Sequence, residues 1–127
     1  MAVWRRPLVR VKVRGWSMSP ALPDGATVWA SALARPKVGF CGVVPAPTPD
    51  GWVPPNGEVF YIKRIRAIGP THVPGAHGED LVVPEGTAFL QGDNPLSLDS
   101  RQLGPCPLEY VLAVTIRRHG ARTQEWA

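Results

Sequence analysis

Proline and glycine occur so often in this chain that they limit what it can fold into. There are 15 prolines and 13 glycines among 127 residues. Proline breaks helices, and both residues favour turns, so many short strands are expected instead of long helices. The chain is also too short for two domains. We therefore predict a single domain, residues 1–127 with a core of about 8–118, with a mainly β, compact antiparallel fold.

Alternation and β-branched residues indicate the individual strands. Residues 8–14 alternate valine with basic residues, which predicts a half-buried strand. Residues 58–68 are dense in aromatic and β-branched side chains and form the strongest strand candidate. Further strands are predicted over residues 26–30, 36–44, 80–84, 87–91 and 110–118. The proline- and glycine-rich segments are predicted to be loops, over 45–57, with Trp52 as a bulky anchor, and over 70–78.

Positive charge is concentrated at the N-terminus of a chain whose net charge is +4. Residues 1–14 contain five basic residues and no acidic one: Arg5, Arg6, Arg10, Lys12 and Arg14. Three alternatives stay open for this segment: a solvated face, a surface for peripheral contact with anionic lipid, or a surface for an acidic leader peptide. The five tryptophans are scattered and not aligned with basic residues, which argues against a nucleic-acid partner.

The cysteines and histidines lack the spacing of metal ligands. Cys41 and Cys106 form no Cys-x-x-Cys pair, and neither lies at ligand spacing from His72, His77 or His119. We predict no metal and no cofactor. One disulfide and two free thiols both stay open. No apolar run approaches the roughly 18 residues of a transmembrane helix, and the N-terminus lacks the apolar core of an export signal, so we predict a soluble, cytoplasmic protein.

One serine and one lysine have the surroundings expected of a nucleophile and its base. Ser17 follows the alternating strand and precedes a proline-led turn, which holds its hydroxyl at the end of a rigid element. Lys63 shares a strand face with Tyr61 and Ile65. Lysine accepts a proton from serine only as the neutral amine, so burial must lower its pKa to roughly 7 to 8, at a cost of about 4 kcal/mol.

Three stretches, in this order, resemble the signature boxes of bacterial type I signal peptidases, which are Ser/Lys proteases. They are Gly15-Trp16-Ser17-Met18-Ser19-Pro20-Ala21-Leu22, Phe60-Tyr61-Ile62-Lys63-Arg64-Ile65, and residues 83–101 with the ending Ser97-Leu98-Asp99-Ser100-Arg101. The resemblance covers roughly residues 14 to 118. It implies a fold like the catalytic core of that family.

The resemblance also implies a role for each matched residue. Ser17 corresponds to the nucleophile, and Lys63 to the general base. The backbone N–H of Ser17 is the expected first donor to the oxyanion. Some relatives add a serine hydroxyl two residues earlier, where this chain has Gly15, so a second donor must be backbone or water.

Supporting roles follow from the third box and from the neighbours of the serine. Ser97 is implied to orient the Lys63 amine, or Ser100 if the loop packs differently. Asp99 and Arg101 are implied to form a structural ion pair.

Three residues around the nucleophile are candidates for the substrate groove: Trp16, Met18 and Pro20. For Trp16 and Met18, contact with a bilayer and packing in the core or rim stay open as alternatives.

These residues together imply a serine endopeptidase that removes an N-terminal leader or signal peptide from a precursor protein. The small size, the lack of an anchor and the Gly-Asp-Asn-Pro segment are most similar to the short soluble branch that matures nickel-type superoxide dismutase. A signal peptidase anchored by a partner protein or by the basic strand stays open. Other classes also stay open: a self-cleaving SOS-type repressor, although its DNA-binding module is missing here, and a catalytically silent peptide-binding module.

Overall fold

The computed structural model describes residues 8–54 and 59–119. Within these ranges the elements follow one another as β1 (Leu8–Lys12), β2 (Thr27–Ser31), β3 (Cys41–Pro45), β4 (Phe60–Ile68), β5 (Thr71–Pro74), β6 (Asp80–Val83), β7 (Thr87–Gln91), α1 (Ser100–Leu103), β8 (Cys106–Pro107), a 3-10 turn (Leu108–Tyr110) and β9 (Ala113–Thr115). Arg5, Arg6 and Glu58 lie outside the described residues.

The strands form two antiparallel sheets. Seven of them pair in the order β1-β2-β9-β3-β4-β7-β8, and β5 pairs with β6 in a small second sheet. The predicted mainly β, antiparallel, single-domain fold is confirmed. Strand β4 lies inside the large sheet, between β3 and β7, so both of its edges are hydrogen-bonded. Its residues are therefore held more rigidly than those of an edge strand.

The observed strands differ from the predicted ones in three main places. Strand β3 begins at Cys41 and not at residue 36, because a turn in which Phe40 N–H donates to the carbonyl of Lys37 precedes it. The segment 70–78 is not all loop, because Thr71–Pro74 pairs with Asp80–Val83 as a hairpin. Val73 is buried there, in one cluster with Val83 and Phe89, and this packing outweighs the local preference of proline and glycine for a loop. The last strand is shorter than predicted, Ala113–Thr115, because a 3-10 turn occupies residues 108–110.

The first strand is present but is not half-buried over its whole length. It forms one edge of the large sheet. Val13, just past its end, is 2% exposed, whereas Val9 is 43% exposed. The alternation is real, but the valine face at this end lies over an open groove instead of a second layer. The prediction that Val9 is buried is therefore wrong.

The core divides around β4. Ile62 packs with Val13 and Met18 in one cluster, and Ile65 packs with Val44 and Leu90 in another. Because consecutive strand residues point to opposite faces, a single strand contributes to both clusters. The two residues between them, 63 and 64, are consequently buried although both are cationic.

Two further sequence features have a clear place in the fold. Trp52 anchors its loop, because its indole N–H donates to the carbonyl of Gly104 at 2.8 Å and its ring packs on the second cluster. Cys41 and Cys106 are both free thiols in the core, and burial raises the pKa of each to about 12. In the part of the chain that the structure describes, no helix is long and apolar enough to cross a membrane.

Candidate active site

Residues of all three boxes line one open cavity of about 560 Å³. It lies between the end of β1, the beginning of β4 and the loop that follows β7. Ser17, Lys63 and Ser97 are all in its wall. The fold therefore brings together three side chains that are far apart in sequence.

A closed turn holds Ser17 in the cavity wall. The base of the turn is fastened where the N–H of Val13 donates to the carbonyl of Ala26 at 2.7 Å. Its tip is fixed by Met18 and Leu22, which are buried in the core and joined by a hydrogen bond from Leu22 N–H to Met18 O of 2.9 Å. Burying such side chains stabilises the fold by roughly 1.5 to 3 kcal/mol each. The serine next to Met18 is thereby held in place.

Gly15 shapes this turn but does not offer its N–H to a substrate. Its φ is +87°, a conformation that glycine adopts without strain. Its N–H donates to Asp24 Oδ1 at 2.7 Å. In contrast, the N–H of Ser17 donates to no residue in the described ranges; its role as an oxyanion donor stays a prediction.

Lys63 is a buried amine that lacks a hydrogen-bond partner in the part of the chain that the structure describes. Its side chain is 0% exposed, and Nζ has no hydrogen-bond partner among residues 8–54 and 59–119. The amine lies 5.2 Å from the centre of the Tyr61 ring. Burial lowers the pKa of Lys63 to about 8, opposed by the negative charge of Asp99 and assisted by the positive charge of Arg101. About one molecule in ten then carries the neutral amine at pH 7.

A buried carboxylate organises the third box. Asp99 accepts hydrogen bonds from the Ser97 hydroxyl, from the N–H of Gly92 at 2.7 Å and from Arg101 Nη2 at 2.7 Å. It is also the N-cap of α1, in a capping box with Gln102. Burial by itself would raise the pKa of Asp99, but the hydrogen bonds from Arg101, Ser97 and Gly92 together bring it below its usual value. The Asp99–Arg101 ion pair is therefore well satisfied.

Ser97 lies in the cavity wall, but its hydroxyl is not bonded to the lysine. It donates to Asp99 and accepts from Arg101 Nη2 at 3.1 Å. Ser100 is not bonded to the lysine either: its hydroxyl accepts from the N–H of Leu90 at 2.9 Å, and Ser100 is not among the residues that line the cavity. The loop therefore packs with Ser97, not Ser100, beside the site. Orientation of the amine by Ser97 stays a prediction.

Asn94 joins the third box to the serine turn. It was not among the site residues predicted from the sequence. Its backbone N–H donates to the carbonyl of Ser17 at 2.9 Å, and its side-chain Nδ2 donates to the carbonyl of Trp16 at 3.0 Å. Its Oδ1 accepts from Leu96 N–H, a turn that asparagine favours. The Gly-Asp-Asn-Pro segment signals such a turn, but not contacts with a segment so distant in sequence.

Gly92 makes this approach sterically feasible. A methyl group at this position would lie 2.5 Å from the carbonyl oxygen of Ser17 and 2.7 Å from Cβ of Ser97. Only glycine allows the two boxes to come this close. Gly92 is therefore a packing requirement of the site.

A second buried cation, also missed in the sequence, lies beside Lys63. Arg64 is 1% exposed and forms two hydrogen bonds of 2.8 Å with the Asp93 carboxylate. Its guanidinium also donates to the carbonyls of Gly39, Arg118 and His119 at 2.7, 2.5 and 2.7 Å. In the sequence, this buried cation was indicated by two adjacent cationic residues on an apolar strand. The partners of Arg64 could not be predicted, because they come from distant segments.

The three candidate groove residues occupy different environments. Trp16 is 63% exposed and lines the cavity. Met18 is fully buried and belongs to the core, so its assignment to the groove is wrong. Pro20 is exposed, but it is not one of the residues that line the cavity.

In residues 8–54 and 59–119, no group of three or more His, Cys, Asp or Glu side chains is arranged to hold a metal ion. No protein-family model matches the chain, and no curated protein matches it significantly in sequence.

Proposed function

We propose that this protein is a serine endopeptidase that uses Ser17 and Lys63 to remove an N-terminal leader from a precursor protein. One observation carries the proposal: Lys63 is buried, has no hydrogen-bond partner among the described residues, and lies in the same cavity wall as Ser17. A buried cation without a partner costs stability. A pKa of about 8 instead makes the lysine an effective base near neutral pH.

The proposed reaction gives each of these residues a role. Ser17 Oγ attacks the scissile carbonyl carbon while Lys63 Nζ accepts the hydroxyl proton. The N–H of Ser17 donates to the oxyanion that forms. The Lys63 ammonium then gives its proton to the leaving amine, and the C–N bond breaks. Finally, the neutral lysine takes a proton from the water that attacks the ester, and it returns this proton to Ser17 Oγ as the C–O bond breaks and the leader is released with a free carboxylate.

We further propose that the protein belongs with the type I signal peptidases, in the branch that matures nickel-type superoxide dismutase, and that residues 1–127 act as one catalytic domain. The order of the three boxes and the convergence of their residues on one cavity support this proposal. The two free thiols support a cytoplasmic location. The substrate is then a leader-bearing precursor, and peripheral membrane contact through β1 is an additional expectation.

Cleavage of a precursor panel tests the proposal. The panel includes a nickel-dismutase precursor and an exported-protein precursor, and mass spectrometry identifies the new N-terminus. We expect Ser17→Ala and Lys63→Met to lower kcat by about a thousandfold or more. Ser19→Ala and Lys37→Met are the matched controls and should retain activity, and circular dichroism checks that each variant is folded.

The other outcomes identify the alternatives. Activity within tenfold of wild type in either dyad variant would remove that residue from the mechanism. Self-cleavage of the chain would favour the repressor-like class. Binding of a precursor without cleavage by the wild type would favour the silent binding module.

A further inference from the structure

A second groove continues the dyad cavity along the first strand. It has a volume of about 720 Å³ and reaches from β1 and β4 to Leu112 and Ala113 near the start of β9. The two depressions share six wall residues and therefore form one continuous groove, here called the β1 groove. The shared residues are Val11, Lys12, Arg14, Val43, Phe60 and Tyr61. A peptide cleaved at Ser17 therefore has a path along β1.

Among the described residues, the β1 groove is bordered by positive charge without a matching negative charge. Arg10, Lys12 and Arg14 contribute to its wall and are exposed, and because they alternate with the valines that face the groove, their charges form a basic row along its edge. None of the three forms an ion pair with a described residue, and no Asp or Glu of residues 8–54 and 59–119 lines either part of the groove. Asp24, which holds the N–H of Gly15, is outside the wall. At about 3.3 Å per residue, the basic row is about 13 Å long.

We infer that the β1 groove selects precursors with acidic side chains several residues from the scissile bond, an inference that rests on the proposed function. Arg10 and Lys12 lie in β1 and Arg14 just past its end, whereas Ser17 lies in the turn that follows, so the basic side chains are separated from the scissile bond by several residues of a bound peptide. The exposed apolar side chains of Val9 and Phe60 in the same wall fit an extended peptide with mixed acidic and apolar residues.

The shape of this surface favours a peptide over a lipid bilayer. Charge alone fits both partners. However, the basic row lies in the wall of a concave groove that contains the nucleophile, and a flat bilayer contacts protruding surfaces more readily than a groove. A single chain segment can follow the groove from one end to the other.

Cleavage kinetics with matched peptides test the inference. Peptides spanning a cleavage site carry Asp, or Asn as the neutral control, at each position from three to seven residues on either side of the scissile bond. Each Asp on the side that lies along β1 should lower KM by about two- to fivefold with kcat unchanged. The triple variant Arg10→Gln/Lys12→Gln/Arg14→Gln should lose this preference, whereas Arg35→Gln, outside the groove, should keep it. Added salt should weaken it in the wild type.

A binding measurement separates this inference from the proposed function. Fluorescence anisotropy of the same labelled peptides with the Ser17→Ala protein reports charge preference without cleavage. If the wild type cleaves nothing but the Asp peptides bind more tightly, the proposed function fails and the charge selection stands. Equal KM and equal Kd for Asp and Asn peptides would overturn the inference. So would a triple variant that loses binding only to phosphatidylserine vesicles while its peptide preference is unchanged.

Discussion

Two neighbouring cations on β4 are equally buried but have opposite surroundings. Arg64 is paired with Asp93 and with three backbone carbonyls, so its charge is fully satisfied. Lys63 has no hydrogen-bond partner in the described residues, and its pKa is lowered. Burial alone would lower the pKa of both, but hydrogen bonds from Arg64 to Asp93 raise that of the arginine.

The difference distinguishes a buried charge that stabilises the fold from a buried amine that can exchange its proton. A buried charge with a full set of partners fixes how chain segments meet, and removing it leaves its partners unsatisfied. A buried amine without partners weakens the fold, and it can exchange its proton near neutral pH. Adjacent residues serve both purposes because strand neighbours point to opposite faces.

The largest effect is expected from the removal of Arg64, the buried cation with a full set of partners. Arg64→Met removes the donors to Asp93 and to three carbonyls, so we expect it to lower the free energy of unfolding by about 3 to 5 kcal/mol. Urea unfolding measures this change. The exposed control Arg35→Met should change it by less than about 0.5 kcal/mol. If Arg64→Met does not fold, Arg64→Lys tests the same point, and a cost below about 1 kcal/mol in either variant would contradict the account.

The second prediction concerns Lys63, whose removal is expected to raise the free energy of unfolding and not to lower it. The pKa of Lys63 is about 8 in the folded protein, below its ordinary value of 10.5, so the folded state holds this proton more weakly than the unfolded state does. The resulting penalty is fully present below pH 8 and disappears as the pH rises to 10.5. At pH 7, Lys63→Met should therefore raise the free energy of unfolding by about 3 kcal/mol.

The same pH series supplies the control for this prediction. Urea unfolding from pH 6 to 10 should show the advantage of Lys63→Met shrinking above pH 8. Lys12→Met, at an exposed side chain, should show no such pH-dependent advantage. If the difference in free energy of unfolding between Lys63→Met and wild type is constant with pH, the charge of Lys63 does not destabilise the folded state.

The third prediction tests the contact between the box that contains Ser17 and the box that contains Ser97. Gly92→Ala places a methyl group against the carbonyl of Ser17 and against Ser97, so the serine turn must move. A displacement of about 1 Å costs roughly a hundredfold in rate, and we expect a loss of that size in kcat/KM. Thermal unfolding of the same variant separates misplacement from unfolding. Activity within threefold of wild type would show that the turn tolerates the shift.

The smallest expected effect is at Ser97. Ser97→Ala removes a hydrogen bond to the Asp99 carboxylate, which should lower the free energy of unfolding at pH 7 by about 1 to 2 kcal/mol. Because the folded-state pKa of Asp99 is lowered, its stabilising contribution is present above its unfolded pKa and is lost as pH falls through the folded one. An additional fall in kcat with a shifted pH profile would support orientation of Lys63 by Ser97, whereas an unchanged kcat would limit Ser97 to stability.

Much of the fold could be predicted because its strands are locally well marked. The segment 87–91 is a strand with the predicted bounds, and 60–68 lies within the predicted strand 58–68. The hairpin at Thr71–Pro74 could not be predicted, because its stability comes from pairing with β6 and from burial of Val73, not from local propensity. The exposure of Val9 likewise depends on which layer covers the strand, and alternation carries no information about that.

The site was predictable to a smaller extent. The burial of Lys63 follows from its apolar strand, and its presence in one cavity with Ser17 agrees with the order of the boxes. The inward turn that buries Met18, and the hydrogen bonds of Asn94 to the serine turn, depend on how loops pack in three dimensions. No spacing within a single box contains that information.

The central claim is that Lys63 is a base with a lowered pKa, and a direct measurement of its titration tests it. Carbon-13 NMR of the lysine side chains reports each amine, and Lys63→Met identifies the signal of Lys63. The account predicts a titration near pH 8, in the wild type and in Ser17→Ala alike. A titration near the ordinary value of 10.5 would show a lysine charged at neutral pH and would contradict its role as the base for Ser17.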